Sequence, residues 1–101
     1  MQNDKLLGAI SLARRAGKLV MGFDAVKESV LKGKSKLVFC ASDLSPKTRI
    51  RVDHFCEDMA MAARTVPLTQ DELVQVCPKR TGVFAVEDRG LAFLVKSKLE
   101  A

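Results

Sequence analysis

The sequence predicts an α/β protein, a three-layer α/β/α sandwich around a small mixed central sheet of about four strands. Three observations carry that expectation. Helical and extended patterns alternate along the whole chain, the order that puts helices on both faces of one sheet. Two short runs, Lys36-Leu37-Val38-Phe39-Cys40-Ala41 and Val83-Phe84-Ala85-Val86, are apolar without alternation, as in strands covered on both faces. Glycines, prolines and capping residues then punctuate the elements where turns are needed.

Each element has its own signature. From Asp4 to Ala16, Leu6, Ile10 and Ala13 recur at helical spacing, and Gly17 stands at the C-cap. Lys18 to Met21 reads as a short strand or extended link. A second helix spans about Phe23 to Lys32, with Phe23, Val26 and Val30 inward and Gly33 as terminator. Lys36 to Ala41 is a buried strand. Ser45 and Pro46 open a third helix as N-cap and first helical residue. Its core stripe is Val52, Phe55, Cys56 and Met59. Met61 to Val66 reads as the next strand. Thr69 and Glu72 form a capping box, with Leu68 and Leu73 as its hydrophobic staple, for a helix ending near Cys77-Pro78. After the strand Val83 to Val86, Asp88 caps a last helix whose Leu91, Leu94, Val95 and Leu99 face inward.

The chain has 101 residues, 48% of them hydrophobic, which suits one domain (1–101) with its own core. Its apolar runs are far shorter than the ~20 residues of a membrane span, and its start lacks a signal-peptide pattern. Three widely spaced cysteines in apolar runs read as reduced, buried thiols of a cytoplasmic protein. His54 and Cys56, two apart on a helix, point to different faces and make neither a metal site nor a thiol–imidazole pair. Paired carboxylates, a nucleophile elbow, a phosphate loop and a dinucleotide fingerprint are all missing, so an enzyme with a small-molecule substrate or a cofactor is not expected. There are 17 lysines and arginines against 12 acids, a net charge of +5, which favours a polyanionic partner. With five phenylalanines and no other aromatic, a base-stacking sheet is not expected.

Gly22-Phe23-Asp24-Ala25-Val26-Lys27 is the most informative stretch. The helix start offers free N–H groups and the positive end of the helix dipole to phosphate. Lysines 18, 27, 32, 34 and 36 lie around it in sequence. Structural readings stand beside the functional ones. Gly22 suits a turn, Asp24 suits a first helical turn, and Lys32 suits a pair with Glu28. Arg49 with Asp53 makes a surface pair, so Lys47, Arg49 and Arg51 read as a solvated face. Arg14 and Arg15 suit a helix C-terminus.

Leu6-Leu7-Gly8, Arg14-Arg15-Ala16-Gly17-Lys18, Gly22, Gly33-Lys34-Ser35-Lys36-Leu37-Val38 and Ala41-Ser42-Asp43 together carry a resemblance. Thr81-Gly82-Val83-Phe84-Ala85-Val86 and Asp88-Arg89-Gly90-Leu91-Ala92 extend it almost across the chain. The chain resembles the bacterial YlxQ-like proteins of the ribosomal protein L-seven-Ae superfamily, whose relatives bind kink-turn RNA. That resemblance implies a sandwich that grips sharply bent RNA. It implies that the second helix start, Gly22 to Lys27 or Glu28, enters the RNA groove beside tandem G·A pairs. It also implies that the loop Lys79 to Val83 contacts an extruded nucleotide. The family's RNA binders carry Gly-x-Asn-Glu-x-x-Lys at the helix start. Here Gly22 is kept, while Asp24, Ala25 and Glu28 replace the Asn, Glu and Lys.

The expected function is therefore a non-catalytic RNA-binding protein for structured, kink-turn-like RNA, in ribosome- or translation-associated particles. The expected RNA-binding residues are Lys18, Gly22, Phe23, Asp24, Lys27, Lys34, Lys36, Lys79, Arg80, Thr81, Gly82 and Val83. Structured RNA (a kink-turn or rRNA) is the expected partner, with ribosomal or translation proteins beside it and no membrane. The alternative is an interaction or assembly module without specific kink-turn recognition.

Overall fold

Alternating side chains on two central strands build this fold. In the computed structural model, which describes residues 2–77 and 80–100, β2 (Leu37–Cys40) and β4 (Val83–Val86) pair antiparallel, with Phe39 opposite Phe84. Successive residues of a strand point to opposite faces. Phe39, Phe84 and Val86 therefore enter one core cluster, and Val38, Cys40, Val83 and Ala85 enter the other. The Phe39 and Phe84 rings stack at 5.2 Å between centroids. Both runs are buried on two sides, as their unbroken apolar sequence predicts.

The outer strands are shorter and more exposed. β1 (Leu19–Met21) pairs antiparallel with β4, and β3 (Ala63–Thr65) pairs parallel with β2, giving the order β1-β4-β2-β3. β3 covers only the middle of the expected Met61–Val66 strand. Ala60 has φ +56, so the chain turns sharply just before it, and β3 has a neighbour on one side only.

Helices cover both faces. α1 (Gln2–Arg15) and α5 (Arg89–Glu100) put Leu6, Ile10, Ala13, Ala92 and Val95 on the Phe39–Phe84 face. α2 (Phe23–Leu31) and α3 (Pro46–Asp58) put Val26, Val30, Val52, Phe55 and Cys56 on the other. The three-layer sandwich with a four-stranded mixed sheet is as the sequence predicts.

Boundaries follow the caps. Gly17 and Gly33 take φ +73 and +75 after α1 and α2. The Ser45 hydroxyl accepts from the Thr48 N–H, with Pro46 in the first turn. Thr69 and Glu72 form both bonds of the capping box, and Leu68 and Leu73 are fully buried together. That helix, α4 (Gln70–Leu73), is a single turn, shorter than expected; turns carry the chain to Cys77. The Asp88 carboxylate caps α5 through the Leu91 N–H. Met59 departs from the predicted core stripe of α3. It is the C-cap and is 39% exposed, because the helix ends before it can turn inward. Among the described residues, no helix is long and apolar enough to cross a membrane.

Candidate nucleic-acid interface

Gly22 forms the corner between β1 and α2. Its φ of +96 and ψ of 151 lie in a region nearly closed to residues with a Cβ. Its N–H donates to the Val83 carbonyl at 2.9 Å, and its own carbonyl accepts from the Val26 N–H at 3.0 Å. No side chain caps α2, so its first-turn amides face outward at the positive end of the helix dipole. Asp24 and Ala25 are exposed there, and Lys27 is exposed one turn further on.

Phe23 is half-buried and sets the edge of this surface. Its ring meets Phe55 edge-on at 5.6 Å, and the Arg51 guanidinium lies 4.4 Å from its centroid. Phe23, Lys27, Arg51, His54, Phe55 and Asp58 line a cleft of about 230 Å³ between α2 and α3. Arg51 thus joins the face that Lys27 occupies, a placement that reading it as part of a solvated helix start misses. The available signal was its position four residues before Phe55, one turn along the same flank of α3.

The loop before β4 is pinned against that corner. The Thr81 hydroxyl donates to the Val83 carbonyl at 2.8 Å, so this oxygen accepts from both Thr81 and Gly22. The Gly82 carbonyl accepts from the Ala41 N–H at 2.8 Å. A Cβ on Gly82 would come within 2.6 Å of Leu44 Cδ1 and 3.2 Å of Gln70 Cδ, so this position is closely packed. Thr81 and Val83 are only 5% and 2% exposed. What they present here is backbone; the Val83 side chain belongs to the core. Arg80 is exposed and forms an ion pair with Asp71 of α4. Lys79 lies outside the described residues.

The expected binding residues divide between the two ends of the sheet. Met21 pairs with Phe84 and Cys40 with Val83, so Gly22, Ala41 and Gly82 share one end. Leu19 and Leu37 both pair with Val86 at the other. There the Lys18 carbonyl accepts from the Glu87 N–H, and the Lys36 N–H donates to the Val86 carbonyl, both at 2.8 Å. Lys34, in the turn after α2, lines a small cleft there with Glu87 and Ser29. The two ends are about 10 Å apart along β4, from the rise per strand residue. Gly22, Phe23, Asp24, Lys27, Arg80, Thr81, Gly82 and Val83 belong to the first end, and Lys18, Lys34 and Lys36 to the second.

The pairs expected on the helix surfaces are present. Lys32 donates to Glu28 at 2.6 Å, and that hydrogen bond holds the Glu28 carboxyl below its usual pKa. Arg49 pairs with Asp53 at 3.1 Å and also reaches the Ala63 carbonyl and the Thr65 hydroxyl, tying α3 to β3. Cys56 is fully buried while His54 is exposed. Burial pushes the Cys56 thiol up to about 11, the opposite of what a nucleophile needs.

Comparison with known proteins agrees with this architecture. The chain is similar to a protein of Enterococcus faecium named RNA-binding protein YlxQ, with 30% identity over 95% of this chain and 92% of that one. In fold it is similar to a Bacillus halodurans protein of unknown function, with a TM-score of 0.87 at 24% identity, covering 96% of this chain and 98% of that one. It is likewise similar to the Giardia lamblia 15.5kD RNA binding protein, with a TM-score of 0.77 at 19% identity, covering 98% and 85%. The family model of the ribosomal protein L7Ae/L30e/S12e/Gadd45 family matches residues 4–92, and the chain belongs to that family.

Proposed function

We propose that this chain is a non-catalytic RNA-binding protein for structured RNA of the kink-turn type, acting in ribosome- or translation-associated particles. Membership of the L7Ae/L30e/S12e/Gadd45 family and the name of the Enterococcus faecium relative support RNA binding over catalysis. The observation that carries the reading is the Gly22–Val83 hydrogen bond, which holds the start of α2 against the Arg80–Val83 loop. Two segments far apart in sequence become one face. That face offers uncapped helix amides, the ring edge of Phe23 and the cations Lys27 and Arg51.

Phosphates bind at the α2 start and Lys27, with Arg80 reaching over from the loop and Lys79 as a further cation of the footprint. Selectivity comes from Phe23 and Asp24 at the helix start and from the backbone of Thr81, Gly82 and Val83. Asp24 only accepts hydrogen bonds, so it reads an exocyclic amine rather than a guanine acceptor. Lys18, Lys34 and Lys36 add long-range attraction from the far end of the sheet.

The footprint is tested by the double variant Lys27→Glu/Lys79→Glu. It is expected to keep the circular dichroism and melting behaviour of the parent while losing RNA affinity and flattening the salt dependence. Unchanged affinity in the folded variant contradicts the footprint. A second reading, an assembly module without kink-turn specificity, is favoured by Asp24 at the helix start and by Glu28 engaging Lys32.

A further inference from the structure

Phe93 is 68% exposed, the most exposed large hydrophobic side chain among the described residues. It lies on α5, whose Ala92 and Val95 are buried, so its ring points away from the core that holds the helix. Arg89 and Lys96, four residues before and three after, share its flank of the helix. Lys36 and Leu37 at the start of β2 close the other side, and with Ala92 these residues line a cleft of about 300 Å³. Three cations and no acid line it. A neighbouring cleft, which also contains Met61 and Arg64, shares Lys36 and Leu37. The described ion pairs, Lys32–Glu28, Arg49–Asp53, Arg64–Glu100 and Arg80–Asp71, involve none of Lys36, Arg89 or Lys96.

We propose that this cleft is a second RNA-contact surface, which stacks an unpaired base on Phe93 and holds the flanking phosphates with Lys36, Arg89 and Lys96. An exposed ring among unpaired cations is the arrangement that binds single-stranded nucleic acid, since every base has a face to stack. An acidic protein segment would match the charge but would leave the ring without a flat partner. Lys36 belongs to the far end of the sheet from Gly22, so the surface is separate from the kink-turn face. It takes a single-stranded segment rather than the bent duplex. The proposal rests on RNA being this protein's ligand and on no detail of the kink-turn face.

The test titrates a fluorescent single-stranded oligouridylate of about a dozen nucleotides, and separately a blunt kink-turn RNA, with the parent, Phe93→Ala and Lys27→Glu. Phe93→Ala is expected to weaken oligouridylate binding about tenfold, in line with one lost base stack, and to leave kink-turn binding unchanged. Lys27→Glu is expected to do the reverse. Phe93 is exposed, so its truncation leaves the fold intact, checked by thermal melting. Oligouridylate binding that Phe93→Ala does not change overturns the proposal. So does a parent that ignores oligouridylate. A self-association abolished by Phe93→Ala also overturns it, assigning the patch to a second copy. None of these outcomes touches the kink-turn reading, which fails separately, when the blunt RNA is not bound or binds no better than the same RNA without its G·A pairs.

Discussion

The Gly22 N–H donates to the Val83 carbonyl at 2.9 Å, and this bond joins the start of α2 to the first residue of β4, where the preceding loop ends. The Val83 side chain is buried and Gly22 has none, so the link between the two segments is made by backbone alone. It sets where the uncapped turn of α2 points.

Gly22→Ala tests what that corner requires. A Cβ there would meet nothing within 4 Å, so the cost is backbone strain at φ +96 and not a clash. The variant should lose about 1–3 kcal/mol in urea unfolding, with RNA affinity falling as the helix start shifts. Unchanged stability would mean that the corner relaxes without strain.

Asp24→Asn separates stability from recognition. The acid suits the helix dipole, so its removal should cost about 0.3–1 kcal/mol of stability. Asn gains two donors for guanine and removes a charge that repels phosphate. Kink-turn affinity should rise about tenfold, the scale of one good base contact. Asn keeps an acceptor for the exocyclic amine, so weaker binding by the Asn variant would show that the RNA requires the charged carboxylate.

Ser29→Ala acts at the opposite end of α2. The Ser29 hydroxyl lies 2.6 Å from the Ser35 hydroxyl and 2.6 Å from the Glu87 carboxylate, tying the helix and its following turn to the end of β4. Removing it leaves the buried Ser35 hydroxyl without that partner, at a cost of about 1–3 kcal/mol. RNA affinity of the folded variant should not change. A parallel loss of both would mean that the two ends of α2 are coupled.

The elements were legible because their signals are local. Gly17, Gly33, Ser45-Pro46, Thr69 with Glu72, and Asp88 each act within a few residues, and each marks a boundary found in the structure. Met59 misled because periodicity cannot say where a helix stops. The site was harder to read because it depends on strand direction and register. Lys18, Lys34 and Lys36 are close to Gly22 in sequence, yet β1 and α2 carry the chain the length of the sheet between them. The Arg80–Asp71 pair and Arg51 against Phe23 likewise join separate elements, which spacing within one element cannot reveal.

Cys40 and Cys56 make the protein's stability fall at alkaline pH. Burial raises both thiols from 9.0 to about 11. Between those values the unfolded thiols lose protons that the folded ones keep, so the unfolded state binds fewer protons and stability falls as pH rises. Their contribution is flat below about pH 9. Urea midpoints measured across this range should decline, less steeply in Cys40→Ala, and native protein at pH 8 should resist alkylation until unfolded. Rapid labelling of the folded protein would contradict the burial argument.

The most direct measurement compares a kink-turn RNA with the same RNA whose G·A pairs are replaced, at low and high salt. Binding that prefers the kinked RNA at both salts, and weakens with salt for each, is the result predicted for the Gly22–Val83 face. Equal affinity for the two RNAs would contradict it and leave a generic basic surface. No binding to either would turn the account toward the assembly module.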